Sequence, residues 1–534
     1  MIEKIMIKNY RAYQDFTLEF NDGMNIIVGD NDIGKSTLLE AVNLALTSKL
    51  NGRPLAYELS PYLFNTVATE EYLAKLIAGE KPTPPEIIID LFLKDNGETG
   101  LLKGSNNLTG NDAVGVRIKA SMSSDYSAEY ENFITEPAKI KLVPAEYYNV
   151  EWLGFSGNGI TMKSLPSSPS FIDASAIKLQ SGADYHLQAI IKEHLDPKER
   201  VELSRTYRNT REEFADHDSV KAINVKLGGS QGDVSDRSLS LAIDISQRYT
   251  WESSLVAHLD GMPFQYVGNG EQNTLKILLA LNRRAEDSNI ILIEEPENHL
   301  SFSTLNMLVT KIATKCVDKQ VLISTHSSYV LNKLGMDSLI LLTRTTGVRI
   351  GQVPNDTQDY FMKLSGYDTL RLVLAKKVIL VEGPSDELMV QRAYMDQHSG
   401  KLPIDDGIDV INVRGLSFKR FLDIAKLLKK PSRVVTDNDG KADGTVEATY
   451  SEYTTEPVIK IHVGKNPLYK TLEPQILHSS NRETLNRILG TTHATDDLLV
   501  EYMKNKNNKT TVALKIFEST ETITMPEYIL DAIA

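Results

Sequence analysis

The chain has 534 residues, of which 41% are hydrophobic and 24% charged, and its formal net charge is −13. This composition is ordinary for a soluble protein of two or three domains. The acidic balance argues against a wholly basic nucleic-acid-binding coat but leaves room for a local basic groove. The single cysteine, Cys316, excludes an internal disulfide and disfavours a zinc finger. Because the sequence has neither an apolar run of roughly 18–20 residues nor a signal-peptide core, we expect a cytoplasmic protein.

A phosphate-binding motif follows the first predicted strands. The strand Met24–Val28 leads into the sequence GDNDIGKS at Gly29–Ser36, and a helix is predicted over Thr37–Leu50. A GxxxxGKS pattern between a strand and a helix is the P-loop arrangement, in which backbone N–H groups and the helix N-terminus receive phosphates. Lys35 is expected to reach the outer phosphates and Ser36 to hold Mg²⁺. The other nucleotide-binding residues predicted in this motif are Gly29, Asn31, Gly34 and Thr37.

The segments around the P-loop carry further signals. Asn-Tyr-Arg-Ala at 9–12 resembles the N-terminal segment of SMC-like ATPases, where the arginine approaches the nucleotide, so Arg11 is either a nucleotide contact or a surface charge. Strands are predicted over Glu86–Leu93 and Val114–Ser121. The charged, helically spaced stretch Ile172–Phe214 predicts a helical arm, which serves either dimerisation, as in similar ATPases, or only the solvated surface.

A loop resembling the ABC signature precedes a predicted amphipathic helix. It spans Gly268–Gln272, with Gly268 where serine is usual and Gly270 as the predicted nucleotide contact. In ABC-type ATPases the signature of one subunit closes on the nucleotide of another. The chain carries one P-loop and one such loop, so a composite site requires at least a homodimer.

Two apolar strands end in residues suited to ATP hydrolysis. The strand Asn289–Ile293 is followed by Glu294 and Glu295, a Walker B pattern. Glu294 is expected on the metal side, and Glu295 is the natural base for polarising the attacking water. The strand Val321–Thr325 ends at His326, the position of the histidine that senses the γ-phosphate.

Carboxylates gather at the ends of two further strands. The strand Val378–Val381 ends at Glu382, and a helix beginning near Asp386 follows. The strand 432–436 ends in the Asp-Asn-Asp triplet 437–439, whose two acids are expected to face one side because residues two apart in an extended segment do so. The carboxyl ends of parallel strands line the crevice of an open α/β sheet. Several carboxylates at that place predict hard divalent cations between them.

This pattern of a strand-end glutamate followed by Asp-x-Asp resembles the Toprim domain. With the ATPase motifs upstream, the chain resembles the OLD (overcoming lysogenization defect) family of ATPase–Toprim nucleases, to which Gabija-type and retron-associated defence nucleases belong. The resemblance implies an α/β fold, in which an ABC/SMC-like P-loop ATPase with a helical dimerisation insert precedes a C-terminal Toprim domain. The implied boundaries are 1–160 and 226–370 for the ATPase, 161–225 for the insert and 371–534 for the Toprim domain.

The resemblance also implies the chemistry, which is ATP-regulated hydrolysis of DNA phosphodiesters in anti-phage defence, with two Mg²⁺ or Mn²⁺ ions. Glu473, in Thr-Leu-Glu at 471–473, resembles the third acidic element of the family. Lys509 resembles its basic catalytic element, and Lys515 is a rival for that role. The implied Toprim metal ligands, which are also the catalytic acids, are Glu382, Asp386, Asp437, Asp439 and Glu473.

Other interpretations stay open at this stage. Besides DNA, the implied partners are a retron reverse transcriptase with its RNA–DNA hybrid or a helicase-like protein. Toprim domains also serve topoisomerases and primases, and an SMC-like clamp with an inert Toprim domain would bind DNA without cutting it. The stretch Arg414–Lys430 carries six lysines and arginines against the single acid Asp423. This basic strip is either a path for the DNA backbone or a solvated helix face.

Overall fold

The computed structural model describes residues 1–95, 97, 100–165, 169–172, 195–228, 241, 251, 258–282, 289–316, 318–350, 353–364, 366–415 and 418–534. The chain divides into two compact units, the first formed by residues 1–25 and 34–324, the second by residues 26–33 and 325–534. Much of the predicted helical arm, residues 173–194, lies outside the described residues. Among the helices that are described, none combines the length and apolarity that crossing a bilayer demands.

The described strands are β1 (Ile2–Tyr10), β2 (Tyr13–Glu19), β3 (Met24–Val28), β4 (Lys49–Leu50), β5 (Arg53–Pro54), β6 (Ile87–Leu93), β7 (Lys103–Gly104), β8 (Ala113–Met122), β9 (Tyr148–Gly154), β10 (Ser170–Ile172), β11 (His258–Leu259), β12 (Met262–Pro263), β13 (Ile290–Glu294), β14 (Gln320–Ser324), β15 (Leu339–Leu342), β16 (Gly347–Arg349), β17 (Lys377–Val381), β18 (Ile408–Asn412), β19 (Ser432–Thr436) and β20 (Ile459–Val463).

The described α-helices are α1 (Lys35–Thr47), α2 (Leu55–Glu58), α3 (Thr66–Ile77), α4 (Ser127–Phe133), α5 (Pro197–Asp216), α6 (Asp218–Gly228), α7 (Asn269–Asn282), α8 (Phe302–Lys315), α9 (Ser328–Leu334), α10 (Asn355–Lys363), α11 (Thr369–Leu374), α12 (Pro384–Gln397), α13 (Phe418–Leu427), α14 (Thr445–Thr449), α15 (Ser451–Thr454), α16 (Leu472–Ser479), α17 (Arg482–Leu489), α18 (Asp496–Lys504), α19 (Lys509–Glu518) and α20 (Glu527–Ile533).

The first unit contains an antiparallel sheet in the order β2-β1-β6-β8-β7, with β9 also pairing with β8. A register shift between Ile2 and Lys4 allows Ile2, Ile5 and Ile7 all to be buried, although they do not alternate strictly. The same unit holds the parallel strands β10, β13 and β14. The apolar residues of β13 and β14 are buried on both faces, as is typical of parallel strands. The predicted strands before Glu294 and His326 are therefore confirmed.

The P-loop helix begins two residues earlier and ends three residues earlier than predicted. Gly34 adopts φ +109°, a left-handed conformation that glycine tolerates, and helix α1 starts directly after it at Lys35. At the other end Ser48 adopts φ +54°, which terminates the helix, so the last two residues predicted as helical form β4 instead.

The second unit is organised around the parallel sheet β18-β17-β19-β20. Strand β17 is central, and its residues Val378, Ile379, Leu380 and Val381 are all fully buried. The strands predicted at 377–381 and 432–436 are confirmed, and both end at the same edge because Val381 pairs with Val435 in parallel register. Separately within this unit, β3 pairs in parallel with β15, and β15 pairs antiparallel with β16.

A buried arginine joins the first helix of this sheet to the C-terminal helices. Arg392, on α12, is only 4% exposed. Its guanidinium donates to the carbonyl oxygens of Ile516 at 2.7 Å and Glu521 at 2.9 Å, and also to that of Ser519. Asp396 balances its charge, with Oδ1 2.8 Å from Nε. Since the carbonyls follow or end α19, this contact sets the position of α19 against α12.

We expect Arg392→Ala to lower the free energy of unfolding by about 2–4 kcal/mol, because it leaves the carbonyls of Ile516, Ser519 and Glu521 without their donor. Arg487→Ala is the matched control, since Arg487 also contacts Glu521 but its side chain is 58% exposed. Its effect should be below about 1 kcal/mol. Urea denaturation of both variants measures the difference, and equal effects would contradict the role given to Arg392.

Candidate functional site

The carboxylates of the second unit lie at the carboxyl edge of its parallel sheet. Glu382 directly follows β17, and Asp437 directly follows β19. Asp386 and Glu473 occupy the first turns of α12 and α16, where the partial positive charge of a helix N-terminus favours an acid. Lys509 is the first residue of α19. We call these five residues the acidic cluster.

Hydrogen bonds orient the members of the acidic cluster. Glu382 Oε1 accepts from the Thr436 hydroxyl and from the Asp437 backbone N–H, the latter at 3.0 Å. Asp386 Oδ2 accepts from the Gly383 N–H at 3.2 Å. Glu473 is 4% exposed, and its Oε1 lies 2.9 Å from Lys509 Nζ. These contacts fix the positions of the acids, and one lysine faces them.

The electrostatics of the acidic cluster show an excess of negative charge. Burial, followed by the charges of Asp386 and Glu382, raises the pKa of Asp437 to about 8. Burial and the charge of Glu382 likewise raise the pKa of Asp386 to about 7. Burial works to lower the pKa of Lys509, but its hydrogen bond to Glu473 and the neighbouring acids outweigh this and raise it. One lysine therefore does not balance the acids.

The donor chemistry of the acidic cluster suits a hard divalent cation. Asp437 Oδ1 is buried and accepts no hydrogen bond from the residues that the structure describes. Carboxylate oxygens are the ligands that Mg²⁺ and Mn²⁺ prefer. Within the described ranges, no three His, Cys, Asp or Glu side chains already converge closely enough to enclose an ion. The acidic cluster therefore suits a divalent cation by its ligand type, by its negative charge and by the unpartnered oxygen of Asp437.

Two predictions about this region need correction or refinement. Asp437 and Asp439 do not alternate along an extended segment, because β19 ends at Thr436 and Asp439 turns to φ +52°. Asp439 is exposed, and its carboxylate lies 3.7 Å from the ammonium of Lys441. Of the two late lysines, Lys509 lies at the acids. Lys515 instead donates to the Leu489 carbonyl at the end of α17.

Sequence reasoning missed two residues that the fold places beside the cluster. Asn438, between the two aspartates, is 2% exposed and donates at 2.8 Å to the carbonyls of both Gly464 and Asn466. Tyr528, on α20, is buried, and the charges of the four clustered acids add to burial in raising its pKa. An Asn inside an acidic triplet was a usable signal, whereas nothing local marks Tyr528.

The predicted P-loop residues differ in how far they are exposed to solvent. In the first unit Lys35 is 6% exposed and Ser36 is exposed, while Thr37 is half-buried. Gly34 cannot carry a side chain, since a Cβ would lie 2.7 Å from the Tyr13 ring. In the second unit Gly29 is buried against Leu342, and Asn31 is exposed.

Arg11 is engaged within the first unit. Its Nε lies 2.9 Å from Glu40 Oε1, and its backbone adopts φ +45°. Glu40 belongs to α1, so this ion pair ties the turn after β1 to the P-loop helix. The side chain is 41% exposed, which leaves part of it open to solvent.

The acids after β13 are held in a turn. Glu294 is the last residue of the strand, and Glu295 adopts φ +41° while its N–H donates to the Ser324 carbonyl at 2.9 Å. Its Oε2 accepts from the Asn298 amide at 2.7 Å. His326, which belongs to the second unit, is exposed.

Gly270 lies in the first turn of α7, in close approach to another loop. A Cβ at this position would overlap the carbonyl oxygen of His299, whereas nothing lies within 4 Å of a Cβ built at Gly268. The two glycines of the signature-like loop therefore differ, because only Gly270 is required by its surroundings.

Two family models match parts of the chain. Two segments, residues 1–226 and 170–331, match the family model described as the AAA ATPase domain. Residues 373–439 match the model described as the overcoming lysogenization defect protein-like TOPRIM domain.

Curated relatives share parts of the sequence. A "DNA double-strand break repair Rad50 ATPase" of Methanopyrus kandleri is 48% identical over 46 residues, or 9% of this chain and 5% of that protein. An uncharacterized Methanocaldococcus jannaschii protein is 30% identical over 156 residues, or 27% and 64% of the two chains. An "ATP/GTP phosphatase" of Helicobacter pylori is 21% identical over 349 residues, or 61% and 85%. This chain spans less than two thirds of the first two relatives.

Solved structures are also similar to parts of this chain, at low sequence identity. An SMC head bound to the C-winged helix domain of ScpA covers 67% of this chain and 99% of its own, with 14% identity and a TM-score of 0.35. The C-terminal region of the Xanthomonas campestris OLD protein covers 30% and 92%, with 21% identity and a TM-score of 0.24. Since the ATPase and Toprim models together account for residues 1–331 and 373–439, the chain belongs to the OLD family of ATPase–Toprim proteins.

Proposed function

We propose that the protein is an ATP-binding, metal-dependent DNA endonuclease, in which the Toprim region hydrolyses phosphodiester bonds and the ABC-type ATPase regulates this activity. The observation that carries the proposal is the acidic cluster itself. Burial and the neighbouring acids raise the pKa of Asp386 and Asp437, and a single lysine faces the four carboxylates at the edge of a parallel sheet. Such uncompensated charge is unfavourable for folding, and it marks a functional site rather than a structural one.

The residues of the cluster have distinct tasks in this proposal. Glu382, Asp386, Asp437 and Glu473 would hold two Mg²⁺ or Mn²⁺ ions, which supply Lewis-acid stabilisation of the attacking and leaving oxygens. Thr436 orients Glu382 through its hydroxyl. Lys509 would place its ammonium where negative charge develops on the phosphate.

The ATPase half has its own proposed assignments. Lys35 and Ser36 bind the phosphates and the accompanying Mg²⁺, and Glu295 polarises the attacking water. The signature-like loop completes the site of a second subunit, so we propose a homodimer whose helical insert contributes contacts. A cytoplasmic role in anti-phage defence follows from the resemblance to Gabija-type and retron-associated nucleases.

The basic strip Arg414–Lys430 is largely committed inside the second unit. Lys419 Nζ lies 3.3 Å from Glu452, and Arg420 pairs with Asp356 and donates to the Thr357 hydroxyl at 3.0 Å. Further internal contacts are those of Lys426 with the Glu452 carbonyl at 2.8 Å, Lys430 with the Val373 and Ala375 carbonyls, and Arg414 with the Tyr367 ring. Side chains that are already paired inside the protein are poor candidates for neutralising DNA phosphates and so for releasing their counterions. We therefore assign the DNA backbone to the exposed lysines near Lys509, namely Lys504 and Lys506.

We expect Asp437→Asn to abolish Mn²⁺-dependent nicking of supercoiled plasmid and to stabilise the metal-free protein. The folded-state pKa of Asp437 is about 8, above its unfolded value, so ionisation lowers stability progressively as the pH rises from about 4 to 8. An amide has no such charge. In EDTA at pH 8 the free energy of unfolding of the variant should be roughly 1–3 kcal/mol higher than that of the unchanged protein. At pH 4 the two proteins should have the same free energy of unfolding.

Asp443→Asn is the matched control for Asp437→Asn, since Asp443 is an exposed acid of the same loop. It should cut like the unchanged protein and show the same stability profile with pH. Normal nicking by Asp437→Asn at saturating Mn²⁺ would remove the acidic cluster from the reaction and favour an SMC-like binding module.

Gly270→Ala should lower ATP hydrolysis at least about tenfold, because its methyl group meets the His299 carbonyl and forces the signature-like loop away. Gly268→Ala should hydrolyse ATP at nearly the unchanged rate, because space is open there. Phosphate release measures both rates. Similar rates in the two variants would show that the signature-like loop does not take part in turnover.

Arg420→Ala should leave the salt dependence of DNA binding unchanged while lowering the melting temperature, because Arg420 anchors α10. Lys504→Ala combined with Lys506→Ala should instead reduce the log–log slope by up to roughly two units, since each phosphate that is no longer neutralised on duplex DNA lowers the slope by about 0.9. Fluorescence anisotropy at several salt concentrations in EDTA reads the slope. A reduced slope in Arg420→Ala would restore the basic strip to the DNA path.

A further inference from the structure

The second unit contains a cavity of about 550 Å³ that the chemistry proposed above does not use. Its walls come from the end of β20, the following loop Gly464–Asn466, helix α16 and the start of α20. All these elements belong to the second unit. The volume is within the range of pockets that hold small organic groups.

Two buried polar groups of this cavity lack hydrogen-bond partners. Gln475 is 6% exposed, and its Nε2 has no partner among the residues that the structure describes; the same holds for Nε2 of His462. A Cβ at Gly464 would overlap the Gln475 amide, so this glycine lets the amide lie against the loop. Buried amide and imidazole groups are normally satisfied, which points to a ligand that satisfies them.

The imidazole of His462 stays neutral at physiological pH. Burial, together with the charges of Arg433, Lys460 and Lys377, lowers its pKa to about 4, although Asp531 opposes this. A neutral imidazole offers its free nitrogen as donor or acceptor according to tautomer. With the Gln475 amide, the cavity thus presents neutral hydrogen-bonding groups rather than a fixed charge.

One wall of the cavity is aromatic. The rings of Tyr469 and His478 stack with centroids 4.3 Å apart and an interplanar angle of 27°. Tyr469 is half-exposed and His478 exposed, so both remain accessible. Aromatic faces beside amide and imidazole groups are the combination with which proteins hold unpaired bases.

The cavity is connected to the acidic cluster by two residues. Asn438 follows Asp437 and hydrogen-bonds the carbonyls of Gly464 and Asn466, which form the rim of the cavity. Tyr528 lines the cavity and lies within the field of the clustered acids. A group bound here is therefore next to the proposed cleavage site.

We propose that this cavity binds a nucleobase, held between the Tyr469 face and the amide of Gln475. Glu447, Glu527 and Asp531 also line the cavity and would repel a phosphate, so the neutral base enters while its phosphate stays near Lys465 at the exposed rim. Its assignment to an unpaired base of the strand being cut rests on the proposed nuclease function. A free nucleoside offers the same chemistry.

A single-stranded oligonucleotide with one internal 2-aminopurine tests the proposal in EDTA, where binding is read without cleavage. Stacking should quench the fluorescence. Tyr469→Ala and Gln475→Leu should each raise the dissociation constant obtained from the quenching roughly five- to 150-fold. Tyr502→Ala is the matched control, because Tyr502 is also half-exposed beside a histidine, His493, but lies outside the cavity. It should bind like the unchanged protein.

A second titration uses free 2-aminopurine riboside. Quenching of the oligonucleotide alone assigns the cavity to the strand, and comparable saturable quenching of the riboside assigns it to a free nucleoside. No quenching in either titration, or equal quenching in the Tyr469→Ala and Tyr502→Ala proteins, overturns the proposal. Tyr469 is half-exposed, so its variant tests the cavity even if Gln475→Leu does not fold. Loss of nicking in Asp437→Asn is scored separately, so either proposal can fail alone.

Discussion

The constraint on which the second unit depends is the charge imbalance at the edge of its parallel sheet. Four carboxylates lie where strands β17 and β19 and helices α12 and α16 meet, and Lys509 is their one cation in the cluster. Backbone donors and the Thr436 hydroxyl orient the acids but do not cancel their charge. A fold that only needed stability would replace such a group with apolar residues. The acids are therefore best explained by what they bind.

The parts of the cluster come from opposite ends of the Toprim region, so tertiary contacts must bring them together. Arg392 does this from within α12, the helix that also carries Asp386. It binds the carbonyls that follow α19, the helix that begins with Lys509. Helix α16 brings Glu473 to the ion pair with that lysine. The geometry of the acidic cluster is thus set by a buried guanidinium that does not belong to the cluster.

The elements that could be predicted from sequence are those with local signals. Apolar runs ending in acids located β17 and β19 correctly, and GxxxxGKS located the P-loop helix to within three residues at either end. The conformation of Asp439 and the contacts of the basic strip could not be predicted, because they depend on the tertiary structure. The turn at φ +52° redirects Asp439. Asp356 and Glu452 form ion pairs with Arg420 and Lys419, two cations that the sequence alone suggests are available to DNA. No local pattern in the sequence marks Tyr528 or the cavity.

The same charge imbalance bears on how the proposed nuclease would bind DNA. A phosphodiester adds negative charge to a place where Asp386 and Asp437 already resist ionisation, and Lys509 is engaged with Glu473. By themselves the clustered acids therefore repel the proposed substrate as well as destabilising the fold. Cations that bind only the folded state reverse both effects at once, because their binding free energy adds to stability and offsets the repulsion. In the proposed nuclease, the stability of this unit, ion binding and DNA binding are accordingly linked through one set of carboxylates.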